Sequence, residues 1–353
     1  MLFFLLFLFF IFIVIFFDFK SSVQIKNNFN ELKISVVIAA KNEEKNICQI
    51  IKSLSNQNYG KNNFEVIIID DNSDDDTLKI AQSEISERNN FSINKAENKI
   101  FEGKRGAIQF GIDRSIFPYI LITDADCKPL VNWLKSFSNK FNEGYDFVFG
   151  KAPYYQTNTM ANKISCFDNL WTHILTFSFA HSGFPYSAAS RSFGFKKDSF
   201  FNISGFENQT KTLSGDDDLL LQKAIKNKMK IGIVTDNGAI VYSDSKQNIT
   251  DYILQKSRHT STSIYYSSKT KYLLGTWHFL NLLFLSLPFF YFYDSNFIYP
   301  FLIKIVTDIF IIISFSKDFS YKFSVFEIIY LQIIYEILLV INFVFSFTRR
   351  NKW

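Results

Sequence analysis

Apolar positions along the 353 residues follow two patterns: solid runs at both ends and, between them, short runs that alternate with amphipathic stretches. Residues 2–17 form an unbroken apolar run with no basic region before it and no small-residue cleavage site after it, which predicts an uncleaved anchor over residues 1–20. That run is short for a spanning helix, so a tilted or interfacial placement stays open. At the other end, residues 272–293, 297–315 and 325–347 are long and apolar enough to cross a bilayer, and Pro288 and Pro300 are tolerable near span ends. Lys304 and Asp308 lie four apart in the middle segment, a spacing that lets them pair on one face away from lipid. A re-entrant segment packed on its neighbours is the competing reading.

From residue 33 to about 150 the alternation has the βαβ rhythm of a parallel sheet. A strand over Ile34–Ala40 leads into Lys41, Asn42, Glu43 and Glu44. Ile47, Ile50, Ile51 and Leu54 then recur at helical spacing, with Asn42 the expected N-cap. A second strand, 64–69, ends in the acidic run from Asp70 to Thr77, which lacks the glycine of a calcium-binding EF-hand loop. Asp74 to Asp76 read equally well as the solvated start of a helix. Gly103, Lys104, Arg105, Gly106 and Ala107 set two glycines around two cations, a pattern suited to approach a phosphate, though without the spacing of a Walker A motif. Ile120, Leu121 and Ile122 form a third strand that ends in Asp124 and Asp126, one residue apart. Ligands gather at the carboxyl edge of open α/β sheets, and paired carboxylates suit a hard ion, Mg²⁺ or Mn²⁺, that also takes phosphate oxygens. The bland alternative for this D-x-D is an acidic loop capping the next helix.

Composition sharpens the class. A hydrophobic content of 48% with 43 Phe, concentrated at the two ends, is a membrane protein's layout. The net charge of +5 comes without a Lys/Arg block in the middle of the chain, so no nucleic-acid partner is expected. Lys20, Lys26 and Lys33 follow the first apolar run and place the next segment in the cytoplasm by the positive-inside tendency. Cys48, Cys127 and Cys166 are widely spaced, which fits a reduced compartment and neither a disulfide framework nor a zinc site. His173, His181 and His278 read as packing or helix-surface residues, and Lys196 with Lys197 as a solvated charge pair.

The ordered motifs, from Ile34 to Glu44, Asp70 to Ser73, Gly103 to Ala107 and Thr123 to Asp126, resemble those of family 2 glycosyltransferases. The likeness continues through Phe184 to Tyr186, Arg191, Gly205-Phe206 and Ser214 to Leu219 to the stretch from Gln255 to His259, covering roughly residues 33 to 260. It implies an α/β GT-A fold with a mostly parallel sheet over 33–260, flanked by the N-terminal anchor and a membrane region at 272–347 with two or three spans. It also implies a nucleotide-diphosphate sugar donor, a divalent metal and inversion at the anomeric carbon. Carried over by residue, the resemblance puts Ala40, Asn42, Glu43, Asp71, Lys104, Arg105, Asp124, Gln255 and Arg258 on the donor, with Asp71 on its nucleoside. Asp126 would hold the metal, with Asp124 beside it or on the ribose. Asp216 aligns with the base that deprotonates the acceptor hydroxyl, and Asp217 is the fallback in a run of three aspartates. Gly215 stands where the family has Glu, and His259 replaces the Trp of a motif usual in polymer-forming members.

The expected enzyme is a membrane-bound, multi-pass glycosyltransferase with its catalytic part in the cytoplasm, at the inner face of a bacterial-type membrane. A uridine donor is favoured and the expected acceptor is a glycan or a lipid-linked acceptor. The rival readings are an inactive GT-A-like membrane scaffold and a sugar nucleotidyltransferase. Three C-terminal spans would put Arg349, Arg350 and Lys352 outside, against the positive-inside tendency, so the number of spans stays open.

Overall fold

The computed structural model describes residues 2–21, 30–207 and 216–348; Lys26, Ser214, Gly215, Arg349, Arg350 and Lys352 lie outside them. By packing, the chain forms two compact units that are each discontinuous in sequence, one of residues 25–154 and 187–244 and one of residues 1–24, 155–186 and 245–352.

The first unit is built on a seven-stranded sheet. Its strands are β1 (Ile34–Ala40), β2 (Phe64–Asp70), β3 (Phe91–Lys95), β4 (Tyr119–Asp124), β6 (Phe147–Gly150), β7 (Phe193–Lys196) and β8 (Ile231–Val234), and a two-stranded sheet joins β5 (Lys128–Pro129) to β9 (Val241–Tyr242). The large sheet has the order β3-β2-β1-β4-β7-β6-β8, and β7 runs antiparallel to both of its neighbours while the other pairings are parallel. β1 and β4 are central and covered on both faces, which is why Ile34–Ala40 and Ile120–Ile122 read as continuous apolar runs. On one face Ile47, Ile50, Ile51 and Leu54 of helix Ile47–Ser55 pack with Trp133, Phe137 and Phe141 of helix Trp133–Asn142. On the other, helix Gly103–Arg114 lies so close that a Cβ on Gly111 would come within 2.5 Å of Val37 Cγ1. A Cβ on Gly106 would come 1.8 Å from the Phe101 carbonyl oxygen, so glycine is obligatory there.

Two sequence expectations change here. The helix after β1 starts at Ile47 with Asn46 in the cap position, so Asn42 is not its N-cap. Asn42 instead has φ +57°, a left-handed conformation that Asn tolerates, and belongs to the loop. Lys196 and Lys197 are not a solvated pair, because β7 carries Lys196 Nζ to 3.0 Å from Asp146 Oδ1, and Lys197 Nζ donates to the Ser115 carbonyl at 2.6 Å.

The second unit is helical. Helix Leu2–Ser21 buries Phe9, Phe12 and Phe16 around the indole of Trp277, with ring centroids at 5.8, 5.2 and 5.1 Å. Helix Met160–His181 is buried nearly throughout and adds Trp171, 5.6 Å from the same indole. Its Asp168 receives Lys256 Nζ at 2.7 Å and the Tyr252 hydroxyl at 3.1 Å from helix Ile249–Thr260. His173 is a packing residue stacked on Phe177, as expected, while His181 lies 3.3 Å from Asp18 and His278 3.6 Å from Glu336. Among the described residues three helices are long and apolar enough to cross a membrane: Ser268–Phe290, Ser295–Phe319 and Val325–Ser346. Lys304 and Asp308 do pair on the middle one, both fully buried.

Candidate active site

The register of the sheet sets the site. Ala39 pairs with Asp124 and Ala40 with Asp70, so the carboxyl ends of β1, β2 and β4 lie level and their loops open on one edge. Asp71 N donates to the Ala40 carbonyl at 2.7 Å, which fixes the chain just past that edge.

The loops after β1 and β2 are laced together. Asn42 N donates to Ser73 Oγ at 3.0 Å and Asn42 Oδ1 accepts from Asp74 N at 2.8 Å. Glu43 N donates to Thr77 Oγ1 at 2.7 Å and Glu44 N to Asp75 Oδ2 at 3.2 Å. Helix Thr77–Ile85 is capped through Asp75, whose Oδ1 accepts from Thr77 N at 3.0 Å, while Asp76 in the cap position makes no such bond. The acidic run is thus partly structural, as its bland reading had it. Asp71 is different: its carboxylate is nearly buried and paired with Lys99.

Gly103 to Ala107 form the first turn of helix Gly103–Arg114 rather than a separate turn ahead of it. Lys104 Nζ lies 2.5 Å from Asp124 Oδ1, and Arg105 beside it is buried. Asp124 is the last residue of β4 and Asp126 follows in the turn. Asp126 keeps access to solvent yet is crowded by protein. That desolvation, with the neighbouring Asp124 charge, raises its carboxyl above the usual range, and the Arg191 guanidinium opposes the rise. Glu43 is raised by desolvation as well, with Asp126 and Asp124 adding to it, so a third carboxylate feels the pair. Ligand atoms of Asp124, Asp126 and Cys127 lie within 4.8 Å of one another. Burial, then the two Asp charges, push the Cys127 thiol well above its ordinary value, so it stays protonated and is a poor metal ligand. Two carboxylates are left, a donor set that fits a hard ion such as Mg²⁺ or Mn²⁺ and not zinc.

The second acidic centre opens helix Asp216–Lys226. The side chain of Asp216 lies outside the described residues. Asp217 Oδ2 accepts from Ser190 N at 2.6 Å, and Asp218 Oδ1 from Ser187 Oγ at 2.6 Å and Ala188 N at 3.3 Å. The next residue, Arg191, stacks its guanidinium 4.4 Å from the Tyr154 ring and donates to Ser243 Oγ. The stretch 187–191 therefore touches both acidic centres, holding Asp217 and Asp218 by hydrogen bonds and Asp126 by charge.

Ala40, Asn42, Glu43, Asp71, Lys104, Arg105, Asp124 and Asp126 are all carried by this one sheet edge and the loops and helix start that follow it. Gln255 and Arg258 sit on helix Ile249–Thr260 of the other unit. Sequence reasoning gave no role to Lys99 or Arg191. Lys99 had no signal, because its partner Asp71 is 28 residues away and the pair is made only by the fold.

The carboxylate-rich edge of this sheet is that of a GT-A transferase fold. The mannosyltransferase PcManGT from Pyrobaculum calidifontis, solved in complex with GDP-Man and Mn²⁺, aligns over 97% of this chain and 95% of its own with a TM-score of 0.63 at 12% identity, a likeness of fold. Residues 35–196 match the family model described as glycosyl transferase family 2, and that segment belongs to the family. Glycosyltransferase AglE of Haloferax volcanii is 29% identical over 140 residues, which are 39% of this chain and 45% of that protein. The GalNAc(5)-diNAcBac-PP-undecaprenol beta-1,3-glucosyltransferase of Campylobacter jejuni is 28% identical over 135 residues, 38% and 42% of the two chains. The dolichyl-phosphate beta-glucosyltransferase of Dictyostelium discoideum is 35% identical over 115 residues, 31% and 35%. The matched stretch spans less than half the length of each of these relatives.

Proposed function

We propose that the protein is a membrane-bound glycosyltransferase that moves a sugar from a nucleotide-diphosphate donor to a hydroxyl of a glycan or lipid-linked acceptor, with inversion. One observation carries the reading: the donor-type edge and the second acidic centre lie on different elements, with Asp124 and Asp126 at the end of β4, Lys104 beside Asp124 from the start of helix Gly103–Arg114, and Asp216 to Asp218 at the start of helix Asp216–Lys226. Inverting transfer needs this division, because a carboxylate must take a proton from the acceptor while others bind the donor.

In this reading Asp71 accepts from the donor's base, and Lys104 and Arg105 bring positive charge to the diphosphate. Asp126 and Asp124 hold a divalent cation, which when bound supplies charge for the leaving diphosphate. Asp216 takes the acceptor's proton, as the resemblance assigns, with Asp217 the fallback. The acceptor oxygen then bonds to the anomeric carbon on the face opposite the bond to the diphosphate, which breaks with its electron pair on the diphosphate. Gln255 and Arg258 are assigned to the donor by their motif alone.

A lipid-linked acceptor is supported by the Campylobacter and Dictyostelium relatives, whose names include an undecaprenol diphosphate and a dolichyl phosphate. The three long apolar helices support a multi-pass membrane protein, and the lysines after the first apolar run support a cytoplasmic catalytic part at a bacterial inner membrane. We favour a uridine donor. The test is hydrolysis and transfer over a panel of nucleotide sugars with Mn²⁺ or Mg²⁺, comparing the wild type with Asp126→Ala. Metal-dependent turnover of one donor, lost in the variant, is expected; turnover that survives chelation overturns the metal assignment, and no turnover with any donor overturns the activity.

A further inference from the structure

Asp168 is a carboxylate in the middle of helix Met160–His181, among residues buried nearly throughout, and both of its oxygens are engaged. Oδ2 accepts from the Tyr252 hydroxyl at 3.1 Å and pairs with Lys256 Nζ at 2.7 Å. Oδ1 accepts from Thr172 Oγ1, one turn along its own helix, at 3.5 Å. The Asp168 and Lys256 side chains are 8% and 24% exposed, and Tyr252 is buried. Tyr252 and Lys256 stand four apart on helix Ile249–Thr260, so a single oxygen grips that helix at two heights on one face.

Such a grip does more for geometry than for stability. A buried ion pair is worth little over apolar side chains of the same volume, because desolvation offsets its attraction, and its best-attested use is to fix register. The same helix carries Gln255 and Arg258. At about 100° per residue they share a face about 110° round the helix from the gripped one. Turning the helix by about 10° carries a side-chain tip about 6 Å from the axis through about 1 Å. A displacement of that size is costly for groups that must meet a ligand in one geometry.

We infer that Asp168 is a positioning residue: through Tyr252 and Lys256 it sets the rotation of helix Ile249–Thr260 about its own axis, and with it the placement of Gln255 and Arg258. The inference rests on the proposed assignment of those two residues to the donor. Asp168 itself touches no reacting atom, and it acts only through the helix that it holds.

The experiment is calorimetric binding of UDP and GDP, each with Mn²⁺, to the full chain in nanodiscs, with a thermal melt of every variant. Arg258→Ala should weaken the nucleotide that binds by roughly ten- to hundredfold, the loss of a hydrogen bond to a charged group. The triple variant Asp168→Leu/Tyr252→Phe/Lys256→Met replaces the whole grip by apolar side chains and should melt close to the wild type. It should nevertheless bind at least about tenfold more weakly, and adding Arg258→Ala to it should cost less than about threefold more, because both changes act through the same guanidinium. If the triple variant does not fold, Asp168→Asn carries the same cycle with a smaller loss, since it keeps the shape of the side chain and an acceptor for Tyr252. A triple variant that binds like the wild type overturns the inference, as do losses that multiply with that of Arg258→Ala, and both leave the donor site standing. Binding that is indifferent to Arg258→Ala and to Gln255→Ala overturns the assignment of this helix to the donor, and the inference with it. Absence of binding by both nucleotides in the wild type overturns the donor-site reading itself.

Discussion

Ser190 donates its backbone N–H to Asp217 Oδ2 at 2.6 Å, which ties the second residue of the aspartate run to a neighbouring loop. Asp218 Oδ1 accepts from the Ser187 hydroxyl and the Ala188 backbone N–H. These bonds give both carboxylates structural work, and the three aspartates should separate on substitution. Asp216→Asn is expected to keep donor binding and lose about 10² to 10⁴ in turnover, the usual cost of a missing general base. Asp218→Asn should mainly cost about 1 to 2 kcal/mol of stability, with Asp217→Asn in between. Turnover and thermal melts on the three variants decide it; a dead Asp217→Asn beside an active Asp216→Asn moves the base one residue along.

Metal addition should be visible without any turnover. Mn²⁺ at a hundred times its Kd stabilises the native state by about 2.7 kcal/mol, so a melt of the wild type should shift upward and a chelator should reverse it. Asp126→Asn should abolish the shift. In chelator the same variant should melt above the wild type, because it removes the mutual repulsion of Asp124 and Asp126.

Asp146 predicts a pH dependence of stability. Burial alone would raise its carboxyl, but the Lys230 N–H and the Lys196 ammonium outweigh burial and hold it below 3.8. A lowered carboxylate stabilises above its unfolded value and loses that contribution as pH falls through the folded one. Asp146→Asn should therefore lower the melting temperature at pH 7, and the difference from the wild type should shrink below about pH 4. A difference that is constant down to pH 2 contradicts the assignment.

The buried pair Lys304 and Asp308 makes a non-additive prediction. Lys304→Met or Asp308→Leu alone leaves one charge without its partner among apolar helices and should cost about 3 to 5 kcal/mol. The double variant should recover most of the loss. Additive losses in detergent unfolding would mean that the two side chains do not act as a pair.

What was legible in the sequence was what local periodicity records. Strand Ile34–Ala40 and the buried positions of helix Ile47–Ser55 were read correctly, because burial on two faces and on one face leave different spacings. The edge position of Asp124 and Asp126 followed from an apolar run ending abruptly. Asn42 was misplaced because Asn suits both a helix cap and a left-handed loop, and only the hydrogen bonds to Ser73 and Asp74 decide between them. Lys196 looked solvated because nothing local shows that β7 enters the sheet beside β6, where Asp146, the residue just before β6, meets it. Lys99 was missed for the same reason, since ion pairs across tens of residues leave no periodic trace.

The enclosure of Trp277 has a consequence for how the chain is made. Phe9, Phe12 and Phe16 are made before the helix carrying Trp171, which follows more than a hundred residues later. The indole that they surround is made last, so at ordinary synthesis rates these rings wait roughly ten seconds to a minute for it. During that interval helix Met160–His181 can already cover Phe12 and Phe16 through Phe179 and Trp171, so it is Phe9, packed on the rings of Trp277 and Phe284, that waits for the C-terminal helices.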